Sequence, residues 1–349
     1  MRVLLTGSAG FIGSAIARRL VDAGHEVVGV DLMLASAHGS SVPPEGTLQL
    51  DVRDAGSDAW ADALRGIDVV CHQAALVGAG VRVADLPEYA SHNDVGTAAL
   101  LAAMHEADVD RLVLASSMVV YGEGIYACGE HGHQLPPARP VSAMEAGDFD
   151  NHCPVCDRPL DWELVPEDAR LDPRSSYAAS KLAQEHYASS WVRQAGAAAV
   201  ALRYHNVYGP MMPRDTPYSG VAAMFRSSLE RGEAPQVYED GAQVRDFVHV
   251  DDVARANVLA LEAVVSGTTP RWSAYNVCSG RPVTILDVAT RVAEGTGRDI
   301  APQVTGGFRP GDVRHVVASP ALAASELGFT AEVDPDDGLR AFATAPLRA

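Results

Sequence analysis

The chain has 349 residues, of which 47% are hydrophobic and 21% are charged, a composition typical of a folded globular protein long enough for about two domains. Its formal net charge of −18 disfavours binding to nucleic acid or to an anionic membrane. No apolar run approaches the roughly 18 residues of a membrane helix, no signal peptide is recognisable, and the five cysteines do not suggest a disulfide framework, so we expect a protein of the reducing cytoplasm.

The first predicted elements form a nucleotide-binding turn. Residues 3–6 are a short apolar run typical of a strand, and residues 11–23 have helical periodicity. Between them lie glycines with GxxGxxG spacing. A strand that enters a helix through such a turn places backbone N–H groups and a helix N-terminus against a pyrophosphate. The residues predicted to contact a dinucleotide here are Gly7, Gly10, Phe11, Ile12 and Gly13.

A second predicted strand, residues 26–30, ends in Asp31. A carboxylate at this position accepts hydrogen bonds from both hydroxyls of an adenosine ribose and repels a 2′-phosphate. The sequence therefore favours NAD over NADP. The alternative is that Asp31 is an ordinary turn residue.

Further strands and helices alternate along the first half of the chain. The predicted strands are 48–54, which ends in carboxylates, 69–75 and 111–116, and the predicted helices are 58–64 and 93–107. This alternation indicates an α/β fold with a doubly wound parallel Rossmann sheet. Because ligands bind beyond the carboxyl ends of the strands in such sheets, Asp51, Val52 and Ala74 are added to the predicted cofactor contacts.

The chain contains a single lysine, Lys181, four residues after Tyr177. An ammonium group is a compact charge whose pKa can move, whereas guanidinium is a planar fork that stays protonated. Residues four apart lie on one face of a helix, so we expect Lys181 to lie beside the Tyr177 phenol and lower the pKa of that phenol. The alternative is a solvated lysine in a lysine-poor protein.

Five motifs occur in order along nearly the whole chain. They are Gly7-x-x-Gly10-x-x-Gly13, Ser116-Ser-Met-Val-Val-Tyr121-Gly122, Tyr177-x-x-x-Lys181, Leu202-Arg-Tyr-His-Asn206-Val-Tyr-Gly-Pro210 and Arg245-Asp-Phe-Val-His-Val-Asp-Asp-Val253. Together they resemble the extended short-chain dehydrogenase/reductases of the nucleotide-sugar epimerase/dehydratase family, and most closely the nucleotide-sugar 4-epimerases. The resemblance implies that Tyr177 is the general acid/base, that Lys181 binds the nicotinamide ribose, and that Ser117 hydrogen-bonds the reacting sugar hydroxyl.

The reaction implied by this resemblance is epimerisation at C4 of a nucleotide diphosphate sugar through a 4-keto intermediate, with NAD held throughout. The dehydratases of the family carry Asp-Glu where this chain has Met118 and Val119, and its decarboxylases carry Glu at the second position. Neither side chain here can carry a proton, which disfavours dehydration and decarboxylation. Two alternatives stay open, an NAD(P)H-dependent 4-ketoreductase and a non-catalytic NAD-sensing protein.

The resemblance divides the chain into a NAD-binding domain, residues 1–204, and a mainly substrate-binding domain, residues 205–349. It implies a homodimer, and it places His205 where relatives usually carry an aromatic residue. A surface salt bridge is the alternative role for Arg309. The implied contacts to the sugar nucleotide are Ser117, Asn206, Arg245, Arg309 and Asp312.

An insert of about residues 123–172 separates the Tyr121 and Tyr177 motifs. It contains Cys-x-x-His and Cys-Pro-x-Cys sequences whose spacing is typical of zinc knuckles. We predict one structural zinc, with no catalytic role, and an insert that overhangs the active site. The alternatives are a redox pair of cysteines and unliganded thiols. The predicted ligands are Cys128, Cys153, Cys156 and His131, with His133 and His152 as alternatives to His131.

Overall fold

The computed structural model describes residues 1–39, 42–80, 82–214 and 220–348. The strands are β1 Arg2–Thr6, β2 Glu26–Asp31, β3 Leu48–Gln49, β4 Val69–His72, β5 Arg111–Ser117, β6 Ile125–Cys128, β7 Gly132–Gln134, β8 Asp161–Glu163, β9 Ala198–Tyr204, β10 Asn206–Tyr208, β11 Gln236–Val237, β12 Val244–His249, β13 Trp272–Val277, β14 Pro282–Thr284, β15 Gln303–Val304 and β16 His315–Val316. The helices are α1 Phe11–Asp22, α2 Ala35–His38, α3 Asp58–Leu64, α4 Leu86–Tyr89, α5 Gly96–Glu106, α6 Val141–Glu145, α7 Ser176–Ala195, α8 Val221–Glu230, α9 Val250–Ser266, α10 Ile285–Gly295, α11 Ala321–Leu327 and α12 Pro335–Phe342.

The largest layer is a seven-stranded sheet with the order β13-β9-β5-β4-β1-β2-β3, in which every pairing is parallel. Successive side chains of a strand point to opposite faces. Val3 and Leu5 therefore pack with α1 and α9 on one face, whereas Leu4 packs with α3, α5 and α7 on the other. Burial on both faces is typical of parallel sheets, and the predicted α/β fold with a large parallel sheet is confirmed.

The second half of the chain builds a smaller layer and also returns to the large sheet. Strand β12 pairs with β10, β14 and β16, and a separate core forms between α8, α10 and α12. Strand β13, however, pairs with β9 at the edge of the large sheet, and α9 packs on that sheet. The division of the chain at residue 204 stays a prediction.

The insert forms its own small sheet, in which β6 pairs antiparallel with both β7 and β8. Its apolar cluster is small and includes Tyr126, Cys128, Cys153 and Leu160. A cluster of this size buries too little apolar surface to hold a loop of this length by itself. Throughout the four described ranges, no helix is long and apolar enough to cross a membrane.

Candidate active site

A cavity of about 410 Å³ lies at the carboxyl ends of β1, β2, β4, β5 and β9. This is where parallel α/β sheets bind ligands. All the residues predicted to contact the cofactor line it, and so do Ser117, Tyr177, Lys181 and Asn206. The predicted cofactor contacts in this lining are Gly7, Gly10, Phe11, Ile12, Gly13, Asp31, Asp51, Val52 and Ala74, besides Tyr177 and Lys181.

The glycines of the turn allow close backbone packing between β1, the loop after β4 and the start of α1. Gly7 has a left-handed φ of +68°, and a Cβ there would lie 2.8 Å from the amide nitrogen of Ala74. A Cβ on Gly13 would collide with the carbonyl oxygen of Gly7. Helix α1 begins at Phe11 with no side-chain cap and no acidic residue in its first turn. Its N–H groups are therefore available to a pyrophosphate, and the residues fit the predicted dinucleotide.

Asp31 is buried at the end of β2 and accepts hydrogen bonds from the amides of Ala9 (3.0 Å) and Met33 (2.8 Å). Its carboxylate also lies 3.2 Å from His38 Nε2. Burial raises the pKa of Asp31, but the hydrogen bonds from His38 and from the Met33 amide outweigh burial and hold that pKa below its ordinary value. The carboxylate is therefore ionised at neutral pH, as ribose recognition requires.

Tyr177 and Lys181 occupy successive turns at the start of α7, where the Ser175 side chain caps the helix by accepting from the Ala178 amide. Lys181 is buried, its Nζ donates to the carbonyl of Ala115 (3.0 Å), and it lies 5.9 Å from the centre of the Tyr177 ring. The two residues share a helix face, as predicted. A solvated lysine, the alternative, does not fit this position.

The protonation of this pair differs from the sequence-based expectation. Burial lowers the pKa of Lys181 to about 7, against a smaller opposing effect of Glu185. Burial also raises the pKa of Tyr177 above its ordinary value, although a hydrogen bond with Ser117 opposes this shift. Desolvation disfavours the charged form of each group. Its effect on the pKa of Tyr177 exceeds that of the Ser117 hydrogen bond, and its effect on the pKa of Lys181 exceeds that of the Glu185 charge.

A buried ion pair holds α7 against the sheet. Arg203 on β9 donates two hydrogen bonds to Glu185 (3.0 and 2.8 Å), one helical turn beyond Lys181. Glu185 also accepts from Ser116, and Arg203 also donates to the hydroxyl of Tyr121 (2.8 Å). These bonds link α7, which carries Tyr177 and Lys181, to β5, which carries Ser117, and to the neighbouring strand β9.

Replacing Glu185 with Ala should lower the free energy of unfolding by about 3–5 kcal/mol, because Arg203 would keep a buried charge without its partner. Glu294→Ala is the matched control, since its pair with Arg340 (2.9 Å) has side chains that are 46% and 40% exposed. That change should cost less than about 1 kcal/mol. Urea denaturation of both variants measures the difference, and equal losses would contradict a stabilising role for the buried pair.

One residue that supports the site was missed from the sequence. A π-helical turn, Ala90–Val95, joins α4 to α5 and carries the buried Asn93. The Asn93 side chain binds both the amide and the carbonyl of Leu76 and donates to Ser180 Oγ (2.8 Å). It therefore joins the loop after β4 to α7. Sequence periodicity does not reveal a π-helical turn, so the position of Asn93 could not be predicted.

A second missed residue is Arg348, which lines the cavity beside the glycine turn. Its guanidinium donates to the carbonyls of Ala9 (2.8 Å) and Ala37 (3.3 Å). Residues 346 and 348 in turn exchange backbone hydrogen bonds with residues 211–214. No motif in the sequence links these segments.

Of the predicted substrate contacts outside β5, only Asn206 reaches the cavity, and its Oδ1 is buried without a partner among the described residues. Arg245 instead donates to the carbonyls of Val313 (2.6 Å) and Arg314 (2.8 Å). Arg309 stacks on Tyr238 (5.1 Å), and a surface salt bridge stays the alternative role for its guanidinium. Burial raises the pKa of Asp312. Contacts of Arg245, Arg309 and Asp312 with the sugar nucleotide stay predictions.

The four predicted metal ligands converge, with their ligand atoms all within 4.8 Å of one another. The Cys128 and Cys156 sulfurs are 3.7 Å apart, and His131 Nδ1 lies 3.4 Å from the first and 3.7 Å from Cys153 Sγ. Tetrahedral zinc with Zn–S bonds of about 2.3 Å places sulfurs about 3.8 Å apart. The alternative histidines lie elsewhere, His133 against Glu163 and His152 against Asp148.

The backbone around these cysteines has the geometry of a metal knuckle. The amides of Glu130 and His131 donate to the Cys128 sulfur, and the amide of Arg158 donates to that of Cys156. Such bonds orient metal-binding thiolates. Asp157 takes a left-handed φ of +59° at the turn that follows Cys156. The residues therefore fit a zinc ion.

The insert contacts the substrate half, and no insert residue is among those that line the described part of the cavity. Arg139 in the insert binds Glu239 (2.9 Å) and the carbonyl of Asp312 (2.6 Å). The Tyr126 hydroxyl accepts from the amide of His315 (3.0 Å). The expectation that the insert overhangs the cavity is thus modified, because any effect on the substrate must act through residues that the insert contacts, such as Glu239, Asp312 and His315.

The profile of the NAD-dependent epimerase/dehydratase family matches residues 3–144 and 158–278. The chain belongs to this family. The stretch between the two matched segments, residues 145–157, lies in the insert and contains Cys153 and Cys156. The family fold thus accounts for the cavity, whereas part of the metal-ligand cluster lies outside the family profile.

Several epimerases of this family resemble the chain over nearly its full length. The dTDP-L-rhamnose 4-epimerase of Burkholderia thailandensis is 33% identical over 351 aligned positions, which cover 97% of this chain and 93% of that protein. The NAD complex of UDP-glucose 4-epimerase from Thermus thermophilus superimposes with a TM-score of 0.73 at 33% identity and covers 98% of both chains. The UDP-glucose complex of the Thermotoga maritima UDP-glucose 4-epimerase gives 0.77 at 28% identity, with 98% and 97% covered.

Proposed function

We propose that the protein is an NAD-dependent 4-epimerase of a nucleotide diphosphate sugar. The observation that carries this proposal is the presence of Ser117, Tyr177 and Lys181 in one cavity with the glycine turn and Asp31. Met118, which also lines the cavity, supplies no acid or base for dehydration. The full-length similarity to 4-epimerases supports the same reaction.

Each of the three residues has a distinct role in this reaction. Tyr177 takes the proton of the C4 hydroxyl and later returns it, and Ser117 holds that hydroxyl by a hydrogen bond. Lys181 binds the nicotinamide ribose. In its ammonium form, and together with the positive nicotinamide ring when NAD is bound, it favours the phenolate form of Tyr177 against the opposing effect of burial. NAD, when bound, supplies hydride acceptance at C4 and hydride return to the opposite face.

The proposal is tested by incubating the purified protein with a panel of nucleotide sugars and no added cofactor. An epimerase should give new isomers of unchanged mass. A 4-ketoreductase, the second candidate, would convert only 4-keto sugars and would oxidise added NADH or NADPH stoichiometrically. If neither isomers nor cofactor oxidation are found, the non-catalytic NAD-sensing alternative is favoured.

NAD should be released when the purified protein is denatured, and NADP should be nearly absent by mass spectrometry. Asp31→Asn should raise the ratio of NADP to NAD affinity at least about tenfold, because the charge that repels a 2′-phosphate is lost. Asp54→Asn is the control, since Asp54 is exposed outside the cavity. Predominant NADP in the wild type would contradict the role assigned to Asp31 and would favour the 4-ketoreductase.

We further propose that Cys128, His131, Cys153 and Cys156 bind one structural zinc. The mutual distances of their ligand atoms and the N–H bonds to the sulfurs support this proposal. Four protein ligands leave no open position for a reacting water, so we assign the zinc no catalytic role. Zinc would instead stabilise the insert, because metal-binding free energy becomes local folding free energy.

A homodimer is also proposed. Leu86, Val95 and Tyr187 are apolar or aromatic residues that are 46%, 54% and 44% exposed, and they lie on neighbouring helical segments. A patch of this kind is typical of an association surface. Light scattering after size-exclusion chromatography measures the mass and would show a single chain if the proposal is wrong.

A further inference from the structure

His205 is a buried polar residue whose side chain has no visible structural task. It follows β9, its main-chain amide donates to the carbonyl of Val277 (3.0 Å), and the residue is only 4% exposed. Neither ring nitrogen has a hydrogen-bond partner within the described ranges. Buried polar side chains are rarely left unpaired in folded proteins. An unpaired imidazole therefore points to a ligand that completes its hydrogen bonds.

The imidazole lines the same cavity as Ser117, Tyr177 and Asn206. Ser117, at the end of β5, is the register partner of Tyr204, so His205 extends β9 just beyond the catalytic serine. Asp31 and the glycine turn lie on the other side of β4, at β1 and β2. His205 is thus on the side of the cavity away from the adenosine end and next to the reacting centre.

We propose that His205 hydrogen-bonds a hydroxyl group of the bound sugar and so helps to determine which sugar the enzyme accepts. This proposal rests on the proposed 4-epimerase function. A neutral imidazole offers one donor and one acceptor, which matches a hydroxyl group. Burial, with a smaller contribution from the charge of Arg245, lowers the pKa of His205 to about 3, so the ring is neutral at working pH. The neighbouring Asn206 Oδ1 also has no partner in the described part of the chain, which gives this end of the cavity further capacity for a polyhydroxylated ligand.

A site that hydrogen-bonds a hydroxyl discriminates strongly against analogues that lack it, because its buried polar groups are then left unpaired. The test compares His205→Phe, which keeps an aromatic ring without donors or acceptors, with His205→Gln, which keeps both. Each variant and the wild type are assayed for kcat/KM on the best nucleotide sugar of the panel and on its monodeoxy analogues. Bound NAD and melting temperature are measured alongside.

We expect His205→Phe to lower kcat/KM for the parent sugar at least about tenfold, but to change it little for the one deoxy analogue whose missing hydroxyl contacts His205. His205→Gln should retain most of the activity, and neither change should reduce bound NAD. An equal loss on all sugars, no loss, or a loss of NAD alone would overturn the proposal.

Calorimetric titration of the same sugars onto the wild type and His205→Phe tests the 4-epimerase function and the role of His205 separately. A wild type that binds sugars without converting them contradicts the epimerase, whereas equal affinities of both proteins for every sugar contradict the role of His205.

Discussion

Tyr177→Phe should lower the rate of epimer formation at least about a hundredfold, the lower end of what a positioned acid/base group contributes. Only the hydroxyl is lost, while the ring keeps its contact with Lys181 and its place at the start of α7. Bound NAD and the melting temperature should therefore change little. The assay follows isomer formation by chromatography at saturating sugar, with NAD content measured on the same samples.

Tyr187→Phe is the matched control, because Tyr187 lies on the same helix but is 44% exposed and outside the cavity. It should keep wild-type turnover. Lys181→Arg should also be poorly active, since a planar guanidinium does not fit the buried position from which the ammonium donates to Ala115. Wild-type-like turnover of Lys181→Arg would mean that the single lysine of the chain has no catalytic role.

Cys153→Ser should remove about one equivalent of zinc per chain, as measured by elemental analysis of protein made in zinc-supplied cells. Without the metal, residues 123–172 should become sensitive to protease, because the apolar cluster of the insert is small. Affinity for the sugar nucleotide should fall more than affinity for NAD. The reason is that Arg139 and Tyr126 bind residues 312–315 of the substrate half, whereas no insert residue lines the described cavity.

Cys278→Ser is the control for loss of a thiol, because Cys278 is buried, is not part of the ligand cluster and donates to the carbonyl of Ala318. It should keep its zinc and its resistance to protease. A wild-type protein without metal would refute the zinc proposal. So would a disulfide between Cys153 and Cys156 in the active enzyme, which would favour the redox alternative.

The sequence by itself determined those parts of the site whose geometry is local. The GxxGxxG spacing placed the glycine turn between β1 and α1, and the four-residue spacing of Tyr177 and Lys181 placed both on one face of α7. Apolar runs in the sequence predicted where the strands end, and Asp31, Asp51 and Ala74, which lie at or just after those ends, line the cavity. In each case the backbone hydrogen bonds of a helix or strand relate residues that are close in sequence.

The tertiary structure decided what depends on contacts between distant segments. It brought Arg348 to the glycine turn, Arg203 to Glu185 and Asn93 to Ser180, and no sequence period relates these pairs. It also placed His131, and neither of the other two candidate histidines, beside the three cysteines, which the knuckle spacing in the sequence does not determine. Burial likewise shifted the pKa values of Tyr177 and Lys181, because desolvation depends on every segment packed around a group rather than on its neighbours in sequence.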